Sequence, residues 1–313
     1  MINFATNNYT VIRIAKKIFV ALLFIVAMAP IGAYIALQIP SMQTWAAKRA
    51  AVMLSKRLET KVSIGKVYYV FFNKLILNDV SILSSPTDTL LNCRKLSVSI
   101  SAKELITARK FSFNRIHLYD GVFNLYNETD STTNLSRVFK FKSSAKDTTD
   151  TLAMPLSLFA KEVKLKNFRF TLKNKFIDRG TTEGAINFAN LSLSKIDAEI
   201  MGVKLERDTL YAEIRNISFN ERSGFSIIKL NSYLKLSARE ARFQDLYIFD
   251  GKTTLKANKF SLYYENSKDF SEFTDKVRME ADLNDSYLSF ETLGKIAPSL
   301  SKNKLSVHLT GLV

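Results

Sequence analysis

The segment Leu75–Ile82, with the sequence LILNDVSI, contains the pattern that decides the fold. Leu75 and Leu77 form an apolar pair, two polar residues follow, and a second apolar pair is formed by Val80 and Ile82. In a regular strand, a step of three residues would move Val80 to the face opposite Leu77. A β-bulge adds one residue, which would keep both pairs on one face and bend the strand.

The same spacing occurs five more times along the chain. In every unit the two intervening residues include Asn or Asp, which tolerate the unusual backbone angles of bulges and tight turns. The further units pair Phe111/Phe113 with Ile116/Leu118, Val163/Leu165 with Phe168/Phe170, Ile186/Phe188 with Leu191/Leu193, Ala212/Ile214 with Ile217/Phe219, and Ala241/Phe243 with Leu246/Ile248. A tight reversal at each Asn is the alternative interpretation, but its strands would be about three residues long and poorly stable. We favour strongly curved antiparallel strands with one continuous apolar face.

The region around these units has the composition and periodicity of a β-sheet. Alternating apolar residues such as Leu305, Val307 and Leu309 recur until the end of the chain. We therefore predict a mainly β fold, an elongated and curved antiparallel sheet over residues 60–313. A stretch rich in Ser, Thr, Asp and Lys, residues 127–151, predicts a long polar loop within it.

The N-terminal part predicts a membrane anchor. Residues 18–39 contain no charge, and about 20 apolar residues are enough to span a bilayer as a helix. Arg13, Lys16 and Lys17 precede this run, which by the positive-inside bias places residues 1–17 in the cytoplasm. A cleaved signal peptide is the alternative, because small residues lie near the end of the run. We expect a single-pass signal anchor with the remainder of the chain outside the cytoplasm.

Residues 41–59 predict a short amphipathic helix, with Ser41 as its N-cap. One interpretation places this helix on the membrane surface, with Trp45, Lys48 and Arg49 at the membrane interface. The alternative is a cap packed over the first strands. The basic residues of this helix also weaken the orientation inferred from the N-terminal charges.

The charge of the chain bears on its partners. The net charge is +16, which first suggests nucleic acid. The basic residues are scattered singly along alternating strands, and there is no run of five or more. An anionic membrane surface is the better partner, a basic surface with no partner is the alternative, and we expect no nucleic acid.

No motif indicates an enzyme. The sequence contains no HExxH, CxxC or GxSxG motif, and His117 and His308 lie far apart beside apolar residues. The single cysteine, Cys93, excludes an internal disulfide and is expected to be a small buried side chain of a strand. We expect no catalytic residues, no metal and no cofactor.

The chain resembles the start of the AsmA-like envelope proteins, specifically the TamB branch. The resemblance covers nearly the whole chain in collinear order. It is carried by KVSIGKV (61–67), LILNDVSI (75–82), FSFNRIHLYDGVFNLY (111–126), VKLKNFRFTL (163–172), SGFSIIKLNSYLKLS (223–237) and VRMEADLNDSYLSFETLGKIAPSL (277–300). Members of this branch are longer and end in a C-terminal domain that is absent here, so we expect the chain to continue in a longer protein.

The resemblance implies a groove-like β-sheet, open along one side and lined with apolar side chains, that stands in the periplasm on an inner-membrane anchor. It also implies transport of phospholipid between the inner and outer membranes, or outer-membrane protein assembly with a TamA-type barrel. Phospholipid acyl chains, the inner membrane and such a barrel are the implied partners. An ordinary closed core built from the same residues, or a structural tether, are the alternatives. The residues expected to line the groove are Leu77, Val80, Phe113, Ile116, Leu118, Leu165, Phe168, Phe170, Phe188, Leu191, Leu193, Ile214, Ile217, Phe219, Phe243, Leu246 and Ile248.

Overall fold

One sheet forms most of the protein in the computed structural model of the chain. The structure describes residues 17, 22–29, 31–32, 34–36, 38–70, 73–85, 87–100, 112–127, 133–138, 158–176, 183–206, 209–302 and 305–313. Within these residues, thirteen strands form a mostly antiparallel, open and curved sheet in which consecutive strands are neighbours from β3 onward, and β1 and β2 both pair with β3. The mainly β fold predicted from the periodicity is thus confirmed.

The strands are up to 17 residues long, and of the helices given below one has 19 residues and the others have at most seven. The strands are β1 (Val62–Ser63), β2 (Lys66–Val70), β3 (Lys74–Leu83), β4 (Thr89–Ile100), β5 (Ser112–Tyr126), β6 (Leu158–Lys173), β7 (Asn190–Glu206), β8 (Thr209–Glu221), β9 (Ser226–Leu236), β10 (Glu240–Phe249), β11 (Thr254–Tyr263), β12 (Arg278–Ser289) and β13 (Ser306–Leu312). The helices are α1 (Pro40–Leu58), α2 (Asn134–Val138), α3 (Phe273–Lys276) and α4 (Phe290–Ile296), with 3₁₀ turns at Ser267–Glu272 and Pro298–Leu300.

The pair β5–β6 is parallel, which corrects the prediction of a wholly antiparallel sheet. Its register runs from Ser112 opposite Phe159 to Tyr126 opposite Lys173. Parallel neighbours need a connection that returns the chain to the starting end of the first strand. The polar stretch 127–151 lies in this connection, and of it the structure describes Asn127 and residues 133–138, which include α2.

Four of the six predicted units carry a register irregularity at the predicted place. The sheet shifts register between Leu165 and Phe168 in β6, between Ile214 and Ile217 in β8, and between Gln244 and Tyr247 in β10. The fourth shift is opposite Ser99 and Ile100, where β5 has one extra residue; Phe111 of that unit lies outside the described residues. The predicted bulges are confirmed at these four positions.

A row of residues in the left-handed conformation runs through the strands, and at Asn167 and Asp245 it coincides with these irregularities. Six non-glycine residues inside strands have φ between 47° and 53°, a region in which Asn and Asp are enriched. They are Asp79, Asp120, Asn167, Lys195, Asp245 and Asp285. At Asp79 the pairing with β4 continues in step, because β4 changes its alternation at the same level, between Cys93 and Leu96.

The predicted bulge at residues 189–190 is wrong. Strand β7 begins only at Asn190, and the Oδ1 atom of Asn187 accepts hydrogen bonds from the backbone N–H groups of Ala189 and Asn190 at 3.0 and 3.1 Å. The Asn side chain therefore forms a turn before the strand instead of a bulge within it. The irregularities of β7 lie further along, at Lys195 and between Met201 and Lys204, where Gly202 is also left-handed.

Helix α1 packs on the first strands, as the cap interpretation predicted. Ala47 and Ala51 are buried against Val62, Ile64 and Val67, and two alanines one turn apart allow the helix to approach the strands closely. This packing covers the apolar face of the sheet at its β1–β3 end.

The start of α1 differs from the prediction. The N-cap is Ile39 and Pro40 occupies the first turn, so Ser41 is not the capping residue. Proline is favoured at this position because its fixed φ suits the first helical turn. The helix ends before Glu59, which adopts the left-handed conformation.

The apolar stretch before α1 is helical up to Ala36 where the structure describes it, and Gln38 and Ile39 form a turn before α1. No single helix of the described residues is sufficiently long and apolar to span a bilayer. The helices Leu22–Ala36 and Pro40–Lys56 meet that criterion together, by length and composition alone, with a bend of 99° between them. The anchor at residues 18–39 stays a prediction.

Substitutions of Asp245 test the strain of the left-handed conformation, because the side chain of this residue is exposed. We expect Asp245→Gly to leave the free energy of unfolding unchanged or raise it by up to about 1 kcal/mol, since glycine relieves the strain at positive φ. Asp245→Val should lower it by roughly 1–2 kcal/mol, because a β-branched residue is strained there. Urea unfolding in mild detergent measures both values. Gln244→Val, at the neighbouring exposed position, is the control; equal effects of the two valines would contradict this interpretation.

Candidate functional site: a partly exposed apolar face of the sheet

Where a left-handed residue lies in a strand, the apolar side chains before it and after it belong to the same cluster. The first apolar cluster extends from β3 to β8, and Val80, Cys93, Phe168 and Ile196 are its buried members. Its partly exposed members are Leu77, Leu91, Leu96, Leu118, Phe123, Leu165, Phe170, Leu193 and Phe219. Residues on either side of an irregularity, such as Leu77 and Val80, thus lie on one face.

The second apolar cluster continues this arrangement from β9 to β13. Leu246, Ala257 and Leu283 are its buried members. The partly exposed members are Leu230, Phe243, Ile248, Leu255, Phe260, Ala281 and Leu309. Phe243 and Leu246 flank the left-handed Asp245, so the same device operates at this end of the sheet.

Most side chains of the two clusters retain contact with solvent. In the first cluster nine side chains are partly exposed against four that are buried. In the part of the chain that the structure describes, no second sheet packs on this face. The result is an apolar surface supported by its own strands and accessible from one side.

An aromatic bridge, formed by Phe188, Phe270, Phe273 and Tyr264, spans part of the apolar face. The Phe188 and Phe273 rings stack with centroids 4.9 Å apart, and Phe270 contacts both Phe273, at 6.4 Å, and Tyr264, at 4.7 Å. Phe188 precedes β7, whereas the other three residues lie between β11 and β12. Strands β7 and β11 are four positions apart in the sheet, so the connecting segments reach across its curvature.

A backbone hydrogen bond supports this crossing. The N–H of Ile186 donates to the carbonyl of Lys295, in α4, at 2.7 Å. The segments before β7 and after β12 are therefore joined directly, although five strand positions separate them.

A close approach fixes the centre of the first apolar cluster. A Cβ atom on Gly121 would lie 2.3 Å from the Phe168 ring and 2.7 Å from the carbonyl oxygen of Asn92. Gly121 and Phe168 are opposite one another in the parallel pair, so the ring lies over the glycine. This position accepts only glycine without a shift of the neighbouring strands.

Polar and charged groups concentrate away from the apolar clusters. At the level of the left-handed row, Asp120 accepts from Arg94 Nε at 2.9 Å and from Asn167 Nδ2 at 2.7 Å. The Asn167 amide and the Arg94 guanidinium hold the pKa of Asp120 below its usual value. Burial acts to raise the pKa of Asp197, but the Asn167 backbone N–H, at 2.8 Å, and the Lys166 ammonium lower it overall. Polar side chains thus link β4, β5, β6 and β7 at this level.

A second polar group centres on Glu162. Its carboxylate lies 3.0 Å from Lys164 Nζ, 3.1 Å from His117 Nε2 and 3.4 Å from Arg115 Nε. Lys164 is the largest cause of a lowered pKa of Glu162, and His117 adds to it, against the opposing effect of burial. These residues alternate along β5 and β6 with Ile116 and the apolar Val163 and Leu165, which places them on the opposite face.

Cys93 is fully buried in the first apolar cluster, as the sequence predicted. Burial raises the pKa of its thiol to about 11. The reactive thiolate is therefore scarce at neutral pH, and Cys93 acts as a packing residue.

The structure brings together eleven of the seventeen side chains predicted to line a groove. Those in the two apolar clusters are Leu77, Val80, Leu118, Leu165, Phe168, Phe170, Leu193, Phe219, Phe243, Leu246 and Ile248. The six outside these clusters are Phe113, Ile116, Phe188, Leu191, Ile214 and Ile217. Phe188 belongs to the aromatic bridge, and Phe113 lies opposite the fully buried Ala160.

The sequence reading missed the cluster members on β4 and β11. Leu91, Cys93 and Leu96 have the same spacing as the predicted units, but the intervening residues are Arg and Lys. Leu255, Ala257 and Phe260 follow it as well, around Asn258. The β11 residues satisfy the full pattern, including its Asn, whereas those on β4 follow the spacing alone, without Asn or Asp.

The predicted membrane-interface residues Trp45, Lys48 and Arg49 are exposed on α1; Trp45 and Arg49 lie on its side away from the strands, and Lys48 lies beside that side. Among the described residues no group of three or more His, Cys, Asp and Glu side chains could hold a metal ion.

Comparison with known proteins adds no identification. No protein-family model matches the chain, and no curated protein matches it.

Gly121→Ala should lower the free energy of unfolding by about 1–3 kcal/mol, because the added methyl group overpacks the first apolar cluster. Phe168→Leu removes part of the ring that the methyl group meets. We expect the double variant to be less destabilised than the sum of the single variants, as measured by urea unfolding. Strict additivity would show that Phe168 and Gly121 do not touch.

Glu162→Gln should lower stability by about 1 kcal/mol at neutral pH through loss of its charge-assisted hydrogen bonds. The folded-state pKa of Glu162 lies below its ordinary value of 4.5, so this stabilisation is present above that pH and is lost as pH falls through the folded-state pKa. Unfolding of both proteins across this pH range measures the difference. Glu206→Gln, in the exposed Lys204–Glu206 pair, should change little, and a pH-independent difference for Glu162 would contradict the assignment.

Proposed function

We propose that the chain is a membrane-anchored module that conducts phospholipid acyl chains along the apolar face of its sheet. The observation that carries this proposal is the continuous set of partly exposed apolar side chains in the first and second apolar clusters. Monomeric proteins rarely leave such a surface uncovered without a ligand or partner. Acyl chains fit it because they need only a dry apolar surface and no specific polar groups.

The dimensions of the sheet suit this proposal. The eleven strands from β3 to β13, at about 4.8 Å each, extend the face to about 50 Å. Each Å² of apolar surface kept from water stabilises a bound chain by about 25 cal/mol. The charged groups around Glu162 and Asp120 lie away from the two clusters, so the path contains few groups that would need water.

The TamB-type identity and the periplasmic location belong to the same proposal. They are supported by the collinear segments quoted above and by the uncharged residues 18–39, which would hold the module at the inner membrane. On this proposal the protein has no catalytic role, and the lipid moves between the inner and outer membranes.

A scaffold for outer-membrane protein assembly is the second candidate, favoured by the edge of β13. Among the described strands β13 pairs only with β12, and Leu312 is 87 % exposed. An unpaired edge can accept an extended client strand by β-augmentation. This role would use the backbone of β13 and not the apolar face.

A photo-cross-linking phenylalanine analogue placed in intact cells distinguishes the two roles. At Phe170 and Phe219, both in the first apolar cluster, we expect adducts with phospholipid, identified by mass spectrometry of the purified full-length chain. Arg169 and Asn220, the exposed neighbours of these positions, are the matched controls and should give none.

Equal lipid adducts at the control positions, or none at Phe170 and Phe219 in a correctly folded chain, would refute the conduit. Cross-links from Leu312 to unfolded barrel segments, without lipid at Phe170, would support the scaffold instead.

A further inference from the structure

Helix α1 has a second face that the strands do not cover. The face toward the strands holds the buried Gln43, Ala47 and Ala51. The outward face exposes four large apolar side chains, of which Trp45 is 64 % and Met53 66 % exposed. Exposure of apolar side chains to water is unfavourable, so we expect a partner to cover this face.

The outward face forms a narrow stripe, which we define by Met42, Trp45, Arg49, Val52, Met53 and Lys56. At about 100° per residue these six positions fall within an arc of about 100°. Ala47 and Ala51 lie on the other side of the helix, about 180° from the centre of the stripe. Packing on the strands therefore fixes the stripe outward.

The charge of the stripe indicates an anionic partner. Helix α1 contains four basic residues and no acidic one, and the first acidic residue of the whole chain is Glu59. Arg49 and Lys56 are interleaved with apolar side chains, and their long stems allow the charged ends to reach phosphate while the stems contact lipid. A tryptophan beside basic residues is typical of the membrane–water interface.

The bend before α1 supplies the orientation. The apolar helix Leu22–Ala36 and α1 are 99° apart. If the first of these runs along the membrane normal, as the proposed anchor requires, α1 lies within about 10° of the membrane plane. A helix in this plane, with an apolar and basic face, is an interfacial helix.

We propose that the α1 stripe lies in the interface of an anionic phospholipid bilayer. This inference rests on the proposed anchor but not on lipid conduction. The bilayer then covers the apolar side chains that water would otherwise contact. Because α1 is packed on β1–β3, its position also fixes the distance between the sheet and the membrane.

Trp45 provides a specific reporter because it is the only tryptophan in the chain. The full chain is reconstituted in nanodiscs of phosphatidylcholine with phosphatidylglycerol, brominated near the headgroup end of the acyl chains. An interfacial helix is buried about 5–10 Å into the headgroup boundary, so we expect at least about two-fold quenching of Trp45 emission and protection from acrylamide. Quenching should be weaker with bromine at the chain ends.

Two variants with the same added charge form the matched pair. Met53→Asp places a carboxylate in the stripe and should reduce the quenching by lifting α1 from the bilayer. Thr44→Asp adds the same charge at an exposed position on another side of α1 and should leave it unchanged. Equal quenching in pure phosphatidylcholine discs would contradict the anionic preference.

An emission of Trp45 that is unquenched by bromine and accessible to acrylamide would overturn the inference. Protection from acrylamide without quenching would also overturn it, because a protein surface would then cover the stripe. Failure of the chain to enter nanodiscs would refute the proposed anchor instead. The same quenching measured on the chain added to preformed vesicles would still decide whether the α1 stripe binds a bilayer.

Discussion

The alternation of side chains along a strand is the constraint on which this structure depends. A strand of 10–17 residues twists and bends. One extra residue within it moves the following apolar side chains to the other face unless the sequence changes its alternation at that point. Here residues such as Asp120 and Asn167 adopt left-handed angles in the middle of the strands, at a cost of roughly 1–2 kcal/mol each. These two residues lie opposite one another in β5 and β6, so both strands change their alternation at the same level and the apolar face stays continuous between them.

The same residues also connect the strands on their polar side. Asp120 joins β5 to Arg94 of β4 and to Asn167 of β6, and Asn167 donates its backbone N–H to Asp197 of β7. An Asp or Asn in the left-handed region thus bends the strand with its backbone and forms cross-strand hydrogen bonds with its side chain. The polar row and the Glu162 group thus add side-chain links between strands on the face opposite the apolar clusters.

The sequence predicted the mainly β fold, the apolar units and four irregularities because these depend on local spacing. The irregularity at Lys195 was not predicted, because the two residues between its apolar pairs are Ser and Lys, which do not favour the left-handed conformation. The bulge predicted at Ala189–Asn190 was wrong, because Asn is as typical of turns as of bulges and the side chain of Asn187 forms a turn there, before β7 begins. The parallel pair β5–β6 and the stacking of Phe188 on Phe273 are set by the path of connecting segments, which periodicity does not encode.

The packing of α1 relates the two proposals physically. Leu77 of β3 contacts both the α1 core around Ala47 and the first apolar cluster, so the helix and the apolar face adjoin without a polar gap. If the α1 stripe lies in the interface, β3 is the first strand that an acyl chain leaving the bilayer would meet. The small side chains of Ala47 and Ala51 then matter for function as well as packing, because a bulkier residue would move the membrane surface away from the entrance of the apolar face.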